Sequence, residues 1–284
     1  VNRLKRIVRL IAGSAIIVYL VVCLVIFSLQ RWLIFPGADT QGKAESAVRA
    51  DAHEQLMELK APDGAHIAAL YGGSLTEESE GRATLIYCYG NGMCMADCHQ
   101  IFLVLRRLGF NVIVPEYEGY GMSGGSAGEQ GCYAAADAAY DWLVKNPAID
   151  SHKIVAAGWS LGAAVAIDLA SRREVAAVVT FSAFESMAAM GHKQYPWLPV
   201  SLLLKHRFDN LKKISQIKSP ILLVHGEVDD FIPPVMCEHL AAAGGAKVQR
   251  INVPGASHND LFDVGGDHLM QQVKQFVESL PVIP

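Results

Sequence analysis

The chain has 284 residues, 51% hydrophobic and 18% charged, which excludes intrinsic disorder and suits one large α/β domain or two small ones. The formal net charge of −4 hides an asymmetry: Arg3, Lys5, Arg6, Arg9 and Arg31 lie in or beside the first apolar stretch, and no acid precedes Asp39. The remainder carries 19 of the 24 bases against all 28 acids, a balance that excludes holding a nucleic-acid backbone by counterion release.

Residues 10–30 form an uncharged run of 21 residues, long enough as a helix to cross a ~30 Å hydrocarbon core. No second run of this kind follows, so the sequence does not read as a polytopic transporter. The run exceeds the ~7–15 residue core of a signal peptide and ends in Leu29-Gln30-Arg31-Trp32-Leu33, without a small-residue cleavage pattern. A retained single-pass anchor over residues 1–30 is expected. The basic flank places the N-terminus in the cytoplasm and the body in a periplasm or lumen. Trp32 and Phe35 fall at interfacial depth, and Cys23 is expected to face lipid. Val1 stands where Met is usual, which fits a few preceding residues or an unusual start codon.

Residues 31–52 read as a juxtamembrane linker, and 53–284 as the main folded domain. Strands are predicted at 55–61 and 67–73, joined by the Pro62-Asp63-Gly64 turn. A strand at 83–89, a helix at 93–108 and a strand at 111–115 follow. The helix at 129–145 carries Tyr133, Ala136, Tyr140, Leu143 and Val144 on one stripe. Strand 153–158, helix 161–171 and strand 175–181 come next. After them come strand 220–225, helix 233–243, strand 247–253 and helix 269–279. Apolar strands alternating with helices predict a doubly wound, mostly parallel sheet covered on both faces. Residues 182–219 break the rhythm around Tyr195-Pro196-Trp197-Leu198-Pro199 and read as a short lid. Cys94 and Cys98 are expected to share a helix face. Core packing is the expectation for them, with a disulfide and a metal site as alternatives.

The chemistry is sought at G-x-S-x-G, which between a strand and a helix forms a nucleophile elbow. Two overlapping matches place Ser123 and Ser126 in a glycine-rich loop with no helix starting on either serine. The third, Gly158-Trp159-Ser160-Leu161-Gly162, follows a predicted strand and leads straight into a predicted helix. The simpler alternative for Ser160 is an N-capping serine in a tight turn. A serine nucleophile needs a base and an orienting acid, in this context in the order serine, acid, histidine. Glu227, Asp229 and Asp230 follow the strand 220–225, and His258 follows the strand 247–253. Acids and bases past strand ends lie at the mouth of such a sheet. His225, at the strand end, reads as structural. No H-E-x-x-H and no C-x-x-C occurs, and the glycine-rich 119–128 run lacks a P-loop ending and a helix opening on it.

Tyr89-Gly90-Asn91-Gly92, Glu116 to Ser123, Gly158 to Gly162, Phe208-Asp209-Asn210-Leu211, His225 to Pro233 and Gly255 to Asp260 together resemble the α/β-hydrolase fold family. The resemblance covers residues 53–280. It is nearest the small-lid, N-terminally anchored branch with depalmitoylase-like and lysophospholipase-like esterases. It implies a cofactor-free and metal-free serine hydrolase acting on esters or thioesters, including acyl lipids or acylated proteins. Ser160 would be the nucleophile, His258 the base and Asp229 the triad acid, with Asp230 next in line. The oxyanion hole would combine the amides of Leu161 and Asn91, with Gly92 as the alternative to Asn91. Tyr89 replaces the histidine usual in that loop. An acyl pocket is expected from Trp159, Phe184 and Trp197, with Met187 and Leu198 beside them. A serine peptidase and a non-catalytic module on the same scaffold are the rival readings.

Overall fold

A computed structural model describes residues 2–76 and 82–280. Helix α1 (Asn2–Ile34) contains the apolar run and is the one helix among the described residues long and apolar enough to cross a membrane. Strands β1 (Glu54–Lys60) and β2 (His66–Gly72) form a hairpin. Then come β3 (Thr84–Cys88), α2 (His99–Arg107), β4 (Asn111–Pro115), α3 (Glu129–Lys145) and β5 (Ile154–Trp159). Helix α4 (Leu161–Arg172) leads to β6 (Ala177–Phe181). Three short helices follow: α5 (Met187–Gln194), α6 (Val200–Leu203) and α7 (Asn210–Ile214). The chain closes with β7 (Ile221–Gly226), α8 (Pro234–Gly244), β8 (Val248–Val253) and α9 (Leu261–Glu278).

The eight strands make one sheet in the order β1-β2-β4-β3-β5-β6-β7-β8. β2 pairs antiparallel with both β1 and β4, and every other pair is parallel. The doubly wound, mostly parallel expectation holds. β3, β5 and β6 are short and apolar because helices cover the sheet centre on both faces, leaving no polar side to alternate. The chain runs from β3 outward to β4, then returns to β5 on β3's other side. That reversal opens a crevice beyond the carboxyl ends of β3 and β5, where α/β sheets place ligands.

Two predicted helices and one expected cysteine pairing need correction. The helix expected over 93–108 begins as a 3-10 turn, Met95–Cys98, and becomes α2 only at His99. Cys94 is extended (φ −131°, ψ 178°), so it does not share a helix face with Cys98; both thiols are free and buried. Helix α9 starts at Leu261, two turns before the predicted 269. It kinks at Gly266, whose φ of +51° interrupts the periodicity that marks a helix in sequence.

The segment read as a linker is docked. α1 continues to Ile34, and Phe35 is buried against His206 and Phe208. Thr40 Oγ1 accepts from the Gly121 amide at 3.0 Å, and the Gly42 amide donates to the Gly121 carbonyl at 2.8 Å. Cys23, expected to face lipid, is buried and packs with Leu198 and Val200 of the lid.

At the far edge, Arg106 of α2 is fully buried. Its guanidinium donates to Glu54 Oε1 (3.0 Å) and to the carbonyls of Gly73 (2.7 Å) and His53 (2.9 Å). Removing one member of a buried pair leaves the other charge stranded. Arg106→Ala should therefore cost about 3–5 kcal/mol, read as a lower urea midpoint of the detergent-solubilised chain.

Candidate active site

Ser160 stands between the end of β5 and the start of α4, with φ +54° and ψ −115°. A non-glycine residue there is strained, and the surrounding packing must hold it. The flanking glycines make that possible. A Cβ on Gly158 would collide with the Gly162 carbonyl, and one on Gly162 with the Cys88 carbonyl of β3. The Ser160 amide donates to Phe181 O at 2.9 Å, fixing the turn to β6. The N-cap alternative fails, because the Ser160 side chain makes no capping hydrogen bond.

Its Oγ instead lies 3.1 Å from His258 Nε2, and His258 Nδ1 lies 2.8 Å from Asp229 Oδ2. The carboxylate can only accept from Nδ1–H, so the neutral imidazole offers Nε2 to the serine proton. The three side chains sit past the ends of β5, β8 and β7, and all are buried. Asp229 Oδ1 also accepts from the Ile232 amide at 2.7 Å. Burial alone would raise the Asp229 carboxyl. The His258 hydrogen bond and the Ile232 amide outweigh it and hold the carboxyl below the usual range. Asp230 and Glu227 are exposed, and the Asp230 carbonyl accepts from Lys193 Nζ. The structure thus brings Asp229 to His258 and leaves the two alternatives outside.

Two aromatic rings flank the imidazole. Trp159 stacks on His258 with centroids 5.3 Å apart and planes at 30°, and Phe231 lies 5.0 Å away. Trp159, expected in the acyl pocket, therefore supports the histidine. Sequence reasoning missed Phe231, although it directly follows Asp229-Asp230.

His225 is buried; its Nε2–H donates to the Ile232 carbonyl at 2.8 Å. Its Nδ1 has no hydrogen-bond partner among the described residues, and burial pushes its pKa down. The structural reading of this residue fits: it braces the Asp229–Ile232 loop from below.

A cavity of about 440 Å³ adjoins the serine, within the range of small-molecule sites. Ser160, Leu161 and Asn91 share its wall with Phe184, Met187 and Leu198. The Leu161 amide opens α4, where first-turn N–H groups have no intrahelical acceptor. Asn91 reaches the cavity and Gly92 does not line it. Trp197, also expected here, is 56% exposed and lies outside; its carbonyl accepts from Tyr19 Oη of α1 at 3.1 Å. The lining instead includes five residues of α1, which no local signal in the sequence could have disclosed.

The Asn91 loop rests on a buried network. Tyr89 Oη donates to Glu116 Oε1 (2.5 Å) and accepts from the Tyr117 amide (3.0 Å). Tyr117 Oη donates to the Tyr89 carbonyl at 2.8 Å. Glu116 further accepts from the Met95 (2.9 Å) and Met122 (3.3 Å) amides. The Tyr89 phenol thus braces the loop that carries Asn91. Ser123, from a competing G-x-S-x-G match, is consumed structurally, donating to the Glu116 carbonyl and accepting from the Ala68 amide.

Fold and site together define an α/β-hydrolase. Residues 88–261 match the Dienelactone hydrolase family, and the chain belongs to that family. It is 34% identical over 263 residues to an uncharacterized protein of Mycobacterium tuberculosis, covering 92% of each chain. It is 29% identical to Protein bem46 of Schizosaccharomyces pombe, covering 89% of this chain and 87% of that one. It is 32% identical to Alpha/beta hydrolase domain-containing protein 17B of Xenopus laevis, covering 68% of this chain and 66% of that one. Among solved structures, the Pyrococcus furiosus esterase Pf2001 shares the fold with a TM-score of 0.66 and 21% identity. That match covers 80% of this chain and 92% of the esterase.

The site generates a pH prediction. His225 and the partly buried His206 are both held below the usual histidine value of 6.5, chiefly by burial. Below 6.5 the unfolded chain binds protons that the folded chain refuses, so stability falls as pH drops from 6.5 through their folded values. The His206→Gln/His225→Gln double variant should flatten this slope in urea melts between pH 7 and 5. The Asp229 contribution lies lower: present above its ordinary value near 3.8, it is lost as pH falls through the depressed one.

Proposed function

We propose that the protein is a serine hydrolase that cleaves carboxylic esters or thioesters through an acyl-enzyme. The observation that carries the reading is the continuous relay from Asp229 through His258 to Ser160 Oγ, beside an apolar cavity. The hydrolase family and the names of esterases sharing the fold support it.

In this mechanism Ser160 Oγ attacks the acyl carbonyl carbon while His258 Nε2 takes the hydroxyl proton. The tetrahedral oxyanion forms against the amides of Leu161 and Asn91, each such donor being worth ~3–4 kcal/mol in the transition state. His258 then protonates the leaving oxygen or sulfur, and the bond to the acyl carbon breaks. A water deprotonated by His258 attacks the acyl-enzyme and releases the acid. Asp229 keeps the imidazole in the reactive tautomer and stabilises its cationic form. The strained Ser160 backbone presents Oγ to substrate at the mouth of the sheet without a conformational step.

We infer further that α1 is a retained anchor with its basic N-terminal flank in the cytoplasm, so that the catalytic domain faces a periplasm or lumen.

Ser160→Ala and His258→Ala should each abolish fluorophosphonate labelling of the full chain in detergent while leaving its thermal unfolding intact. Asp229→Asn should retain the fold and lower kcat for a p-nitrophenyl ester by about 10³–10⁴. Full turnover by Ser160→Ala would refute the mechanism. An unlabelled but folded wild type would point to a non-catalytic module. Faster cleavage of an amide than of the ester with the same acyl group would point to a peptidase.

A further inference from the structure

The cavity beside Ser160 is not closed by the catalytic domain alone. Ile26, Phe27, Gln30, Leu33 and Ile34, all in the last turns of α1, form one of its walls. The lid forms the facing wall with Tyr195, Leu198 and Leu203 among others. The cavity that reaches the nucleophile thus ends on the apolar surface of the membrane-spanning helix.

The lid grips that helix along a single stripe. Tyr19, Cys23, Ile26 and Gln30 are spaced by four, three and four residues, so they share one helical face. Tyr19 Oη donates to the Trp197 carbonyl, and its ring lies 6.4 Å from the Trp197 indole. Cys23 and Ile26 pack on Leu198 and Val200. Gln30 is buried at the end of the apolar run; its Nε2 donates to the Leu203 carbonyl (3.2 Å) and its Oε1 accepts from the Lys205 amide (2.8 Å).

This geometry fixes the lid's depth. Tyr19 lies eleven residues before Gln30, about 16 Å along the helix axis. The lid segment bonded to Tyr19 therefore reaches about halfway into a ~30 Å hydrocarbon layer. Its composition matches that solvent: Leu202 is 84% exposed, Trp197 56% and Tyr195 43%. Side chains this apolar and this bare are costly in water and favoured in lipid. At the other end, Lys205 lays its ammonium over the Phe27 ring at 4.0 Å, near Arg31, where cations meet headgroups.

We propose that the lid tip is embedded in the leaflet on the side of the catalytic domain, and that the cavity admits the acyl chain of a bilayer-resident long-chain ester or thioester laterally, along α1. The inference rests on the serine-hydrolase reading and adds the placement of the lid and the route by which the acyl chain reaches the site. α1 is then part of the specificity pocket as well as a tether. The chain lies against Ile26 and Leu33 while the polar ester linkage reaches Ser160 just above the headgroup plane.

The test uses the full chain in phosphatidylcholine vesicles and a hexadecyl fluorophosphonate bearing a diazirine at the end of its alkyl chain. The probe first bonds to Ser160, with loss of fluoride, and irradiation then links its tail to the residues it touches. Mapped cross-links within 19–34 and 195–204 are the expected result. Cross-links confined to the rest of the catalytic domain would overturn the inference while leaving the nucleophile established. Failure to label Ser160 would instead remove the functional reading beneath it. In the same vesicles, Ile26→Trp should lower the ratio of kcat/KM for p-nitrophenyl palmitate to that for the butyrate at least tenfold. An unchanged ratio in a variant that still labels with a short fluorophosphonate would also overturn it.

Discussion

The active site depends on a steric constraint at one turn. Ser160 occupies a backbone conformation that L-residues avoid, and β5 and α4 can hold it there only because they nearly touch β3. Gly162 sits against the Cys88 carbonyl, and Gly158 against the Gly162 carbonyl, with no room for a methyl group at either. The same contact brings the β3 loop, with Asn91, beside the first turn of α4. The candidate nucleophile and both candidate oxyanion amides are therefore set by a single close approach at the centre of the sheet. Strain of order 1–3 kcal/mol at Ser160 is held by the buried strands on either side.

Around that turn, polar groups are buried only where they are paired, and their pairing orients the site. Glu116 accepts one phenol and two amides, which stops the Tyr89 loop from relaxing away from Ser160. Asp229 likewise uses one oxygen for His258 and the other for its own loop, so it cannot rotate without breaking the hydrogen bond from the Ile232 amide. Trp159 and Phe231 flank the imidazole from two sides and help bury it. Such prepaid order lets a histidine act as a base without reorganising at each turnover.

Local patterns were legible in the sequence, and tertiary docking was not. The elbow could be read because its glycines, flanking strand and following helix are contiguous, and His258 because it follows a strand end in the required order. Asp229 and Asp230 are adjacent and chemically identical, so only resemblance separated them; in the structure one faces His258 and the other is exposed. The first two turns of α9 carry no helical period in the sequence because Gly265-Gly266 interrupts it. Trp197, an aromatic in a lid and so a natural pocket candidate, lies against Tyr19 instead. The docking of Cys23 and of the 31–52 segment likewise leaves no local trace. An apolar helix has an equally apolar surface all round, and nothing along the chain marks the face that meets another element.

That docking changes what the N-terminal helix does for the enzyme. A flexible tether would hold the domain near a membrane and leave its orientation free. Here Phe35 is buried in the domain, and Gln30 is hydrogen-bonded to the lid on both of its polar atoms. The last turns of α1 are therefore fixed against the lid and the domain by packing and hydrogen bonds. A buried glutamine at the end of an apolar run supports this most directly. Its amide would cost ~1–3 kcal/mol if left unsatisfied; it bonds to the Leu203 carbonyl and the Lys205 amide of the lid and to the Phe27 carbonyl of its own helix. Separation of the lid from α1 would break the Leu203 and Lys205 bonds together and leave Gln30 Oε1 without its partner, so these contacts favour the closed arrangement of α1 against the lid.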